Sequence, residues 1–404
     1  MGYQSSEAWL ATRPKRGRPA GSPLAIRPIR PPMQIGSGQG AERRAVSRRF
    51  TETTTSFILA VNVSQWPIHP GDAGRQLSSR REQGRQAMRD QVERRTVLKA
   101  LGVSALAATG LQIPQARAQQ QVPWSSGTAL PKLKAPPDAC DCHMHIYDSR
   151  FPVAPSATLK PADAKVDDYK LLQKRIGTTR NVVVQPSTYG TDNSCTLDGM
   201  AKLGPTARGV AVVDTSVTDG ELKRLNDAGV RGIRFNLVQA GATTIDMLEP
   251  LSKRVNELGW HVQIHMLGDQ IVQIADLLNR LPSPIVFDHM GRIPKDVGVD
   301  HPAFAVIRKL IDKGQTWVKL SGAYMDTKVG PPTYADSTKL AKAYVSAAPQ
   351  RMVWASDWPH PTEKDKPDDA VLFDLLSEWA PEEGTRKQIL VDNPVALYGF
   401  GRSG

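Results

Sequence analysis

The residues best suited to chemistry lie where His143 and His145 end the sequence Ala-Cys-Asp-Cys-His-Met-His. This stretch has the length and composition of a β-strand. Alternate side chains of a strand share one face, so we expect Asp141 beside the two histidines, with Cys140 and Cys142 facing the other way. Two adjacent imidazoles can polarise a carbonyl group or bind a metal ion. The same alternation predicts that both thiols pack against surrounding helices.

Apolar runs of strand length recur through the rest of the chain, at intervals that leave room for helices. They predict strands at 139–146, 181–185, 209–214, 232–237, 261–265, 285–289, 317–321 and 352–357. Helical periodicity predicts helices at 166–176, 220–228, 247–258, 270–281, 303–313 and 338–347, a weaker one at 194–203, and a short closing helix within 392–400. This alternation predicts an α/β fold, a single (β/α)8 TIM-like barrel spanning 139–404. An open doubly wound sheet is the alternative, but no glycine-rich turn follows the first strand.

Polar or ionisable residues stand at five of the predicted strand ends, where an ordinary core strand is apolar. Parallel barrels carry their chemistry at the carboxyl ends of the strands. Burying this many polar groups without a function is costly. We therefore expect the following residues to meet at the mouth of the barrel: His143, His145, Arg234, Asn236, His265, Asp288, His289 and Asp357.

Together with longer motifs, these residues resemble the amidohydrolase superfamily in its amidohydrolase 2 branch. Within it they are similar to the group of 2-pyrone-4,6-dicarboxylate lactonases and D-galactarolactone isomerases. The resemblance covers nearly all of 138–400. The motifs that carry it are His-x-His at 143–145, Gln-Pro-Ser-Thr-Tyr-Gly-Thr-Asp-Asn at 185–193, Val-Arg-Gly-Ile-Arg-Phe-Asn at 230–236, His265, Asp-His-Met-Gly-Arg at 288–292 and Trp-Ala-Ser-Asp-Trp-Pro-His-Pro at 354–361.

The resemblance implies a hydrolase in which a water molecule attacks the ester carbonyl of a lactone ring. A carboxylate within reach of that water can take its proton, and imidazole donors stabilise the developing oxyanion. Arginine suits a substrate carboxylate through its forked donors. The resemblance implies Asp357 as the general base, His143, His145 and His289 as the polarising groups with His265 beside them, and Arg234, Ser187, Asn236 and Arg292 as contacts with a small-molecule lactone or carboxylate substrate.

The chain departs from the lactonase pattern at three positions. Ala240 and Met325 stand where the lactonases have arginines, and Leu159 stands where they have a tyrosine. Fewer cations disfavour a pyrone dicarboxylate and favour a sugar-acid lactone or another lactone with one negative charge. The isomerases lack counterparts of His143 and Asp357, so the resemblance favours hydrolysis over isomerisation.

A further departure raises the question of a metal cofactor. His265 replaces a lactonase tyrosine, which completes a candidate set of zinc ligands formed by His143, His145, His265 and Asp357. Related decarboxylases use such a set, whereas the lactonases need no metal, so a metal-free site and a site with one Zn²⁺ both remain open. The alternative functions are a zinc-dependent decarboxylase or amide hydrolase, a lactone isomerase, and a non-catalytic binding protein.

The chain is basic only in its first part. The whole chain has 52 Lys and Arg against 40 Asp and Glu. Residues 1–118 contain 19 of the basic and 7 of the acidic residues, so residues 119–404 contain 33 basic and 33 acidic residues. No basic run interleaved with aromatic residues follows, so nucleic acid is not an expected partner. Residues 1–87 are rich in Arg, Pro, Gly and Ser, which predicts a disordered or untranslated extension.

Residues 88–118 resemble a twin-arginine export signal. Arg94 and Arg95 precede an apolar run at 100–113 and a small-residue cleavage site at 116–118. This pattern predicts recognition by the twin-arginine export machinery and a periplasmic or exported product. The mature chain would begin with a lead-in at 119–138. The apolar run is too short for stable membrane insertion, and three cysteines do not form a disulfide framework.

Overall fold

The computed structural model describes residues 120–239 and 241–401. The predicted extension at 1–87, the predicted export signal at 88–118 and Ala240 lie outside these residues. In the part of the chain that is described, no helix combines the length and the apolar character needed to cross a bilayer.

Eight parallel strands form one sheet in sequence order, which confirms the predicted strands and the (β/α)8 fold class. The sheet forms a nearly closed barrel, and just beyond the first and last strands the amide of His145 donates to the carbonyl of Trp358 over 2.8 Å. The strands are β1 (Cys140–Met144), β2 (Arg180–Val184), β3 (Ala207–Ala211), β4 (Val230–Asn236), β5 (His261–His265), β6 (Ile285–Phe287), β7 (Thr316–Leu320) and β8 (Met352–Trp354).

Helices follow the strands and cover the outside of the barrel. They are α1 (Val166–Ile176), α2 (Ser194–Leu203), α3 (Asp219–Asp227), α4 (Leu248–Asn256), α5 (Gly268–Gln273), α6 (Ala275–Arg280), α7 (Pro302–Asp312), α8 (Ala335–Ala347), α9 (Asp369–Trp379), α10 (Glu383–Lys387) and α11 (Asn393–Tyr398). The helix predicted at 270–281 is divided into α5 and α6. Sequence patterns missed α9, because seven of its eleven residues are buried and its amphipathic signal is therefore weak.

The lower half of the barrel interior is an apolar core of its own. Residues of α11 and the chain just beyond it close this core, so the closing helix has the packing role expected of it. The expectation that Cys140 and Cys142 face the helices is wrong, because both lie in this inner core. We call it the lower interior, and it consists of Cys140, Cys142, Val182, Val184, Val210, Val286, Trp317, Val353, Ala355, Tyr398 and Phe400.

A bulge in β1 explains this reversal. The pairing advances three residues in β1, from Asp141 to Met144, while β2 advances only two. An extra residue in one strand turns the following side chain to a new face. Asp141 consequently faces outward, where its carboxylate accepts a hydrogen bond from the hydroxyl of Tyr169 on α1 over 3.0 Å. Our expectation that Asp141 shares the face of the histidines is therefore wrong.

Candidate active site

A cleft opens at the carboxyl ends of the strands. The predicted site residues that line it come from six different strand ends. His143 lies at the same end of the barrel and is completely buried. The predicted residues in the cleft wall are His145, Ser187, Arg234, Asn236, His265, His289, Arg292 and Asp357.

The carboxylate of Asp357 is the centre of this arrangement. Its Oδ1 lies 3.4 Å from His143 Nε2 and 3.6 Å from the Nε2 atoms of both His145 and His289. Asp357 has a left-handed backbone conformation with φ 65°, and its amide donates to the carbonyl of His143 over 2.8 Å. Backbone strain of this kind is concentrated at functional sites, and here it directs the carboxylate into the mouth of the barrel.

Asp357 is held in its ionised form. Burial disfavours the charge, but the imidazoles of His289, His145 and His143 outweigh that effect and keep the pKa of Asp357 well below its usual range. The second oxygen, Oδ2, accepts a 2.6 Å hydrogen bond from the hydroxyl of Tyr324. A carboxylate that is ionised at neutral pH can act as a general base.

Burial favours the neutral form of three imidazoles in the site, those of His289, His143 and His265. Burial lowers the pKa of His289 to about 4 and lowers the pKa values of His143 and His265 well below the ordinary value. Neutral imidazole keeps one nitrogen as a donor and the other as an acceptor. These rings can therefore act as neutral hydrogen-bond donors or as metal ligands.

Hydrogen bonds on the far side of two rings set their orientation. His145 Nδ1 lies 2.7 Å from the carbonyl oxygen of Val184, which can only accept, so Nδ1 carries a proton and, in the neutral ring, the lone pair is on Nε2. His289 Nδ1 lies 2.9 Å from the hydroxyl of Ser321. When that hydroxyl donates, His289 carries its proton on Nε2, the atom that faces Asp357.

A layer of buried ions lies directly beneath the site. Asp288 accepts from Arg234 Nε over 3.3 Å and lies 3.2 Å from His143 Nδ1. Lys319 Nζ lies 3.6 Å from Asp288, 3.2 Å from His143 Nδ1 and 2.6 Å from Gln263 Oε1. Burial disfavours the charge of Asp288, but His143 and Lys319 hold its pKa well below the usual range. Burial lowers the pKa of Lys319.

Sequence reasoning noticed Asp288 without giving it a role and missed Lys319, Gln263 and Tyr324. The sequence could have indicated Lys319, because a lysine inside the apolar run Trp-Val-Lys-Leu is as unusual as a histidine at the end of a core strand. The sequence gives no indication of Tyr324, since this residue lies in a loop after β7 and belongs to no strand pattern.

The two predicted substrate-binding arginines differ in how many of their N–H groups already donate to other side chains. Arg292 donates to both oxygens of Asp326, over 2.8 and 3.1 Å, and to His265 Nε2 over 3.2 Å. Arg234 uses only Nε, and within the described residues its two Nη groups have no acceptor. The forked end of Arg234 is therefore available to an anionic ligand in the cleft.

Neutral polar groups form another part of the cleft wall. Asn236 Nδ2 donates to the hydroxyl oxygen of Ser187 over 2.7 Å, which leaves the Ser187 hydrogen free to donate. Oε1 of Gln239 is buried without a hydrogen-bond partner among the described residues. The cleft therefore offers both a donor and an acceptor to hydroxyl or carbonyl groups of a ligand.

The donor atoms also fit one divalent metal ion. His143 Nε2 and His145 Nε2 are 3.2 Å apart, and each lies 3.4–3.6 Å from Asp357 Oδ1. Ligands of tetrahedral zinc are separated by about 3.3 Å when the bonds measure about 2.0–2.1 Å. If His143 carries its proton on Nδ1, facing Asp288, three acceptors converge and a cation between them relieves their repulsion. This reading makes Asp288 an orienting partner of a ligating histidine.

His265 does not join this group, which differs from the predicted set of four ligands. Among the described residues, the groups with ligand atoms close enough to share an ion are His143, His145 and Asp357, and His143, Asp288 and His289. Nε2 of His265 accepts from Arg292, which can only donate, so its lone pair is already occupied.

A nearly closed parallel barrel with a carboxylate and imidazoles at the carboxyl ends of its strands is typical of (β/α)8 enzymes. Residues 140–400 match the family model described as Amidohydrolase, and the chain belongs to this family. It is accordingly a hydrolase.

Two curated relatives and one solved structure illustrate the similarity. A 2-pyrone-4,6-dicarboxylate hydrolase from Comamonas testosteroni is 38% identical over 288 residues, covering 68% of this chain and 94% of that protein. A D-galactarolactone isomerase from Agrobacterium fabrum is 33% identical over 278 residues, with the same coverages. The structure of a probable 2-pyrone-4,6-dicarboxylic acid hydrolase from Acinetobacter baumannii, with citric acid bound, is 25% identical, has a TM-score of 0.59, and covers 65% of this chain and all of that one.

Proposed function

We propose that this enzyme hydrolyses a lactone that carries one carboxylate, using a water molecule activated by Asp357. The observation that carries the proposal is the ionised carboxylate of Asp357, surrounded by three imidazole Nε2 atoms in a cleft that also contains the open fork of Arg234. The names of the relatives, which act on lactones, support the same class of substrate.

The proposed reaction assigns each step to a group in the cleft. The water oxygen attacks the ester carbon while Asp357 Oδ1 takes a proton from the water. His289, with its Nε2 proton facing the cleft, stabilises the oxyanion. The tetrahedral intermediate then breaks the bond to the ring oxygen, which receives the proton held by Asp357. The product is the open-chain hydroxy acid.

Charge in the cleft supports a substrate with a single carboxylate. Arg234 has two unengaged Nη groups, whereas Arg292 is occupied by Asp326. Leu159 and Met325, which stand where the resemblance has polar residues, line the same cleft. The hydroxyl of Ser187 and the amide of Gln239 favour a substrate with further hydroxyl groups, such as a sugar-acid lactone.

A metal-dependent reaction is the second candidate, favoured by the spacing of His143, His145 and Asp357. These three residues would hold the ion, with Asp288 orienting His143. A bound zinc ion lowers the pKa of its water to about 7 and polarises a carbonyl oxygen. The zinc-dependent alternatives are the decarboxylase and the amide hydrolase. Lactone isomerisation is the alternative suggested by the second relative.

The first experiment combines elemental analysis with a panel of lactones. The purified protein is assayed on sugar-acid, muconate-type and pyrone-type lactones, with and without chelator and added Zn²⁺. Lactone opening without metal and with chelator resistance supports Asp357 as the base. Near-stoichiometric zinc with chelator-sensitive activity supports the metal-dependent reading. A protein that opens no lactone under either condition contradicts the proposal.

A second experiment tests recognition of the carboxylate. Arg234→Lys keeps a positive charge near Asp288 but loses the forked donors. We expect KM for a carboxylated lactone to rise about 10- to 100-fold, the equivalent of one to two charge-assisted hydrogen bonds. A matched neutral lactone serves as the control, and its KM should change less than about twofold. An equal rise in KM for both substrates would show that Arg234 does not bind the substrate carboxylate.

We also propose that the chain is exported by the twin-arginine route. Arg94 and Arg95, with the apolar run that follows, support this proposal. Changing both residues to lysine in the full chain should retain the product in the cytoplasm, measured by cell fractionation. The pair Arg80→Lys and Arg81→Lys is a matched control, because these neighbouring arginines precede the predicted signal. Export of the Arg94, Arg95 variant would contradict the proposal.

A further inference from the structure

The two oxygens of Asp357 have different surroundings. Oδ1 faces the imidazoles and the cleft, whereas Oδ2 is bound by the hydroxyl of Tyr324 over 2.6 Å. Tyr324 belongs to the loop between β7 and α8, so its approach to the end of β8 depends on tertiary packing. The proposed mechanism uses Oδ1 and leaves this second contact unexplained.

The contact continues into a line of buried side chains. The Tyr324 hydroxyl lies 3.0 Å from Nδ1 of His360, and the two rings pack edge to face. Nε2 of His360 lies 3.2 Å from both oxygens of Asp369, the first residue of α9. Neither His360 nor Asp369 is exposed to solvent.

The direction of the hydrogen bonds is fixed from the end nearest the cleft. Because the carboxylate of Asp357 can only accept, the Tyr324 hydroxyl donates to it. The Tyr324 oxygen can then accept from Nδ1–H of His360. When both ring nitrogens carry protons, His360 also donates Nε2–H to the oxygens of Asp369, which limits rotation of the ring. Each member of the line therefore restricts the next.

We propose that Tyr324 is a positioning residue for Asp357, aligned by His360 and Asp369, and that it holds the carboxylate so that Oδ1 presents its lone pair to the attacking water. This inference rests on the proposed function, in which Asp357 is the base. Catalytic groups must be held close to their productive geometry, and small displacements cost large factors in rate. Without the Tyr324 hydroxyl, the carboxylate can rotate about its bond to Cβ.

Tyr324→Phe tests the proposal, because it keeps the ring against His360 and removes only the hydroxyl. We expect kcat on the lactone that the wild type opens to fall about 10- to 100-fold, the equivalent of one hydrogen bond to a charged group. KM and the melting temperature should change little. Tyr398→Phe is the matched control, because Tyr398 lies in the lower interior and its hydroxyl has no partner among the described residues. Its kcat should equal that of the wild type.

A double variant separates this role from a simple tie between two loops. His360→Asn keeps a donor that can reach Tyr324 but loses the contact with Asp369. If His360 acts through Tyr324, the variant carrying both changes has the same kcat as Tyr324→Phe alone. If the two losses multiply, or if Tyr324→Phe retains the wild-type kcat, the proposal is overturned.

Crystal structures of the wild type and Tyr324→Phe provide a readout that does not depend on turnover. The proposal expects a single orientation of the Asp357 carboxylate in the wild type and a rotated or split orientation in the variant. An unchanged carboxylate would overturn it. If the wild type opens no lactone, the proposed function fails by itself, and the two structures still decide the role of Tyr324.

Discussion

The two halves of the barrel interior are equally buried but chemically opposite. The lower interior is packed with valines and two thiols around Trp317. The layer above it contains Asp288, Arg234, Lys319 and Gln263, all with little or no exposure to solvent. Burying ions costs free energy that apolar packing does not. The difference indicates that the lower half stabilises the barrel, while the upper half uses part of that stability to hold the site.

If the upper half holds the site, substitution of Asp357 should have the largest effect on activity. Asp357→Asn keeps the size of the side chain but removes the proton acceptor, so kcat should fall by about 10²–10⁴-fold, the usual contribution of a general base. Substrate binding, measured by calorimetry, should remain. Val353→Ala on β8, in the lower interior, is the control and should keep kcat within about twofold. Full activity of the asparagine variant would rule out Asp357 both as base and as metal ligand.

The sequence predicted which residues lie in the upper half of the barrel better than it predicted which of them contact each other. Histidines and aspartates at strand ends are unusual in any core, so His143, His289 and Asp357 could be found by type and position alone. Which atoms meet depends on the closure of the barrel and on loops distant in sequence. His265 was expected beside His143 and Asp357, but Arg292 occupies its lone pair, and no local pattern indicates that contact.

For the lower half, the sequence predicted the strands but not which side chains of β1 face inward. Its strands and their order followed from apolar runs separated by helices, but the side of β1 that faces inward did not. Alternation is a reliable rule only for a regular strand, and one extra residue reverses it. Nothing in the sequence from Cys140 to His143 marks the bulge, which is set by the pairing with β2.

Lys319 should have the next largest effect, because it is a completely buried cation in the upper half. Lys319→Met removes one of the two cations beside Asp288 and the hydrogen bond to Gln263, while Arg234 still pairs with Asp288, so the free energy of unfolding should fall by about 1–3 kcal/mol. Activity should fall as well, since Lys319 also contacts His143. Denaturant unfolding followed by circular dichroism measures the change.

A compensating variant distinguishes the loss of charge from the loss of packing. Asp288→Asn alone and in combination with Lys319→Met completes a double-mutant cycle, and an ion pair predicts that the combined variant loses less stability than the sum of the two single losses. If the double variant is less stable than Lys319→Met by the full cost of a second change, the two residues do not stabilise each other as an ion pair. That result would remove the electrostatic distinction between the halves.

In the lower interior we expect a moderate loss of stability with no loss of function. Val182→Ala removes two buried methyl groups from β2 and should lower the free energy of unfolding by about 1–3 kcal/mol. Because Val182 belongs to the lower interior and does not line the cleft, kcat and KM should match those of the wild type. A tenfold loss of kcat in a folded variant would show that the two halves are mechanically coupled.

The smallest effect at neutral pH concerns His261, which lies at the lower end of the barrel with its ring edge to face against Tyr398. Burial lowers its pKa to about 3, and neither ring nitrogen has a partner among the described residues. In the unfolded chain a histidine titrates near about 6.5. Between these values the unfolded state binds the additional proton. The stability contributed by neutral His261 is therefore complete above pH 6.5 and is lost as the pH falls toward 3.

His261→Leu replaces this buried base with an apolar side chain of similar size. At pH 7 we expect its stability to lie within about 1 kcal/mol of the wild type, because no hydrogen bond is broken. Below pH 6.5 the wild type should lose up to about 1.4 kcal/mol per pH unit through this one residue, and the variant should lack that part of the slope. Unfolding curves at pH 7, 6, 5 and 4 measure the difference. Parallel slopes would mean that His261 takes up its proton without unfolding, so that the lower interior tolerates a charge as the layer above it does.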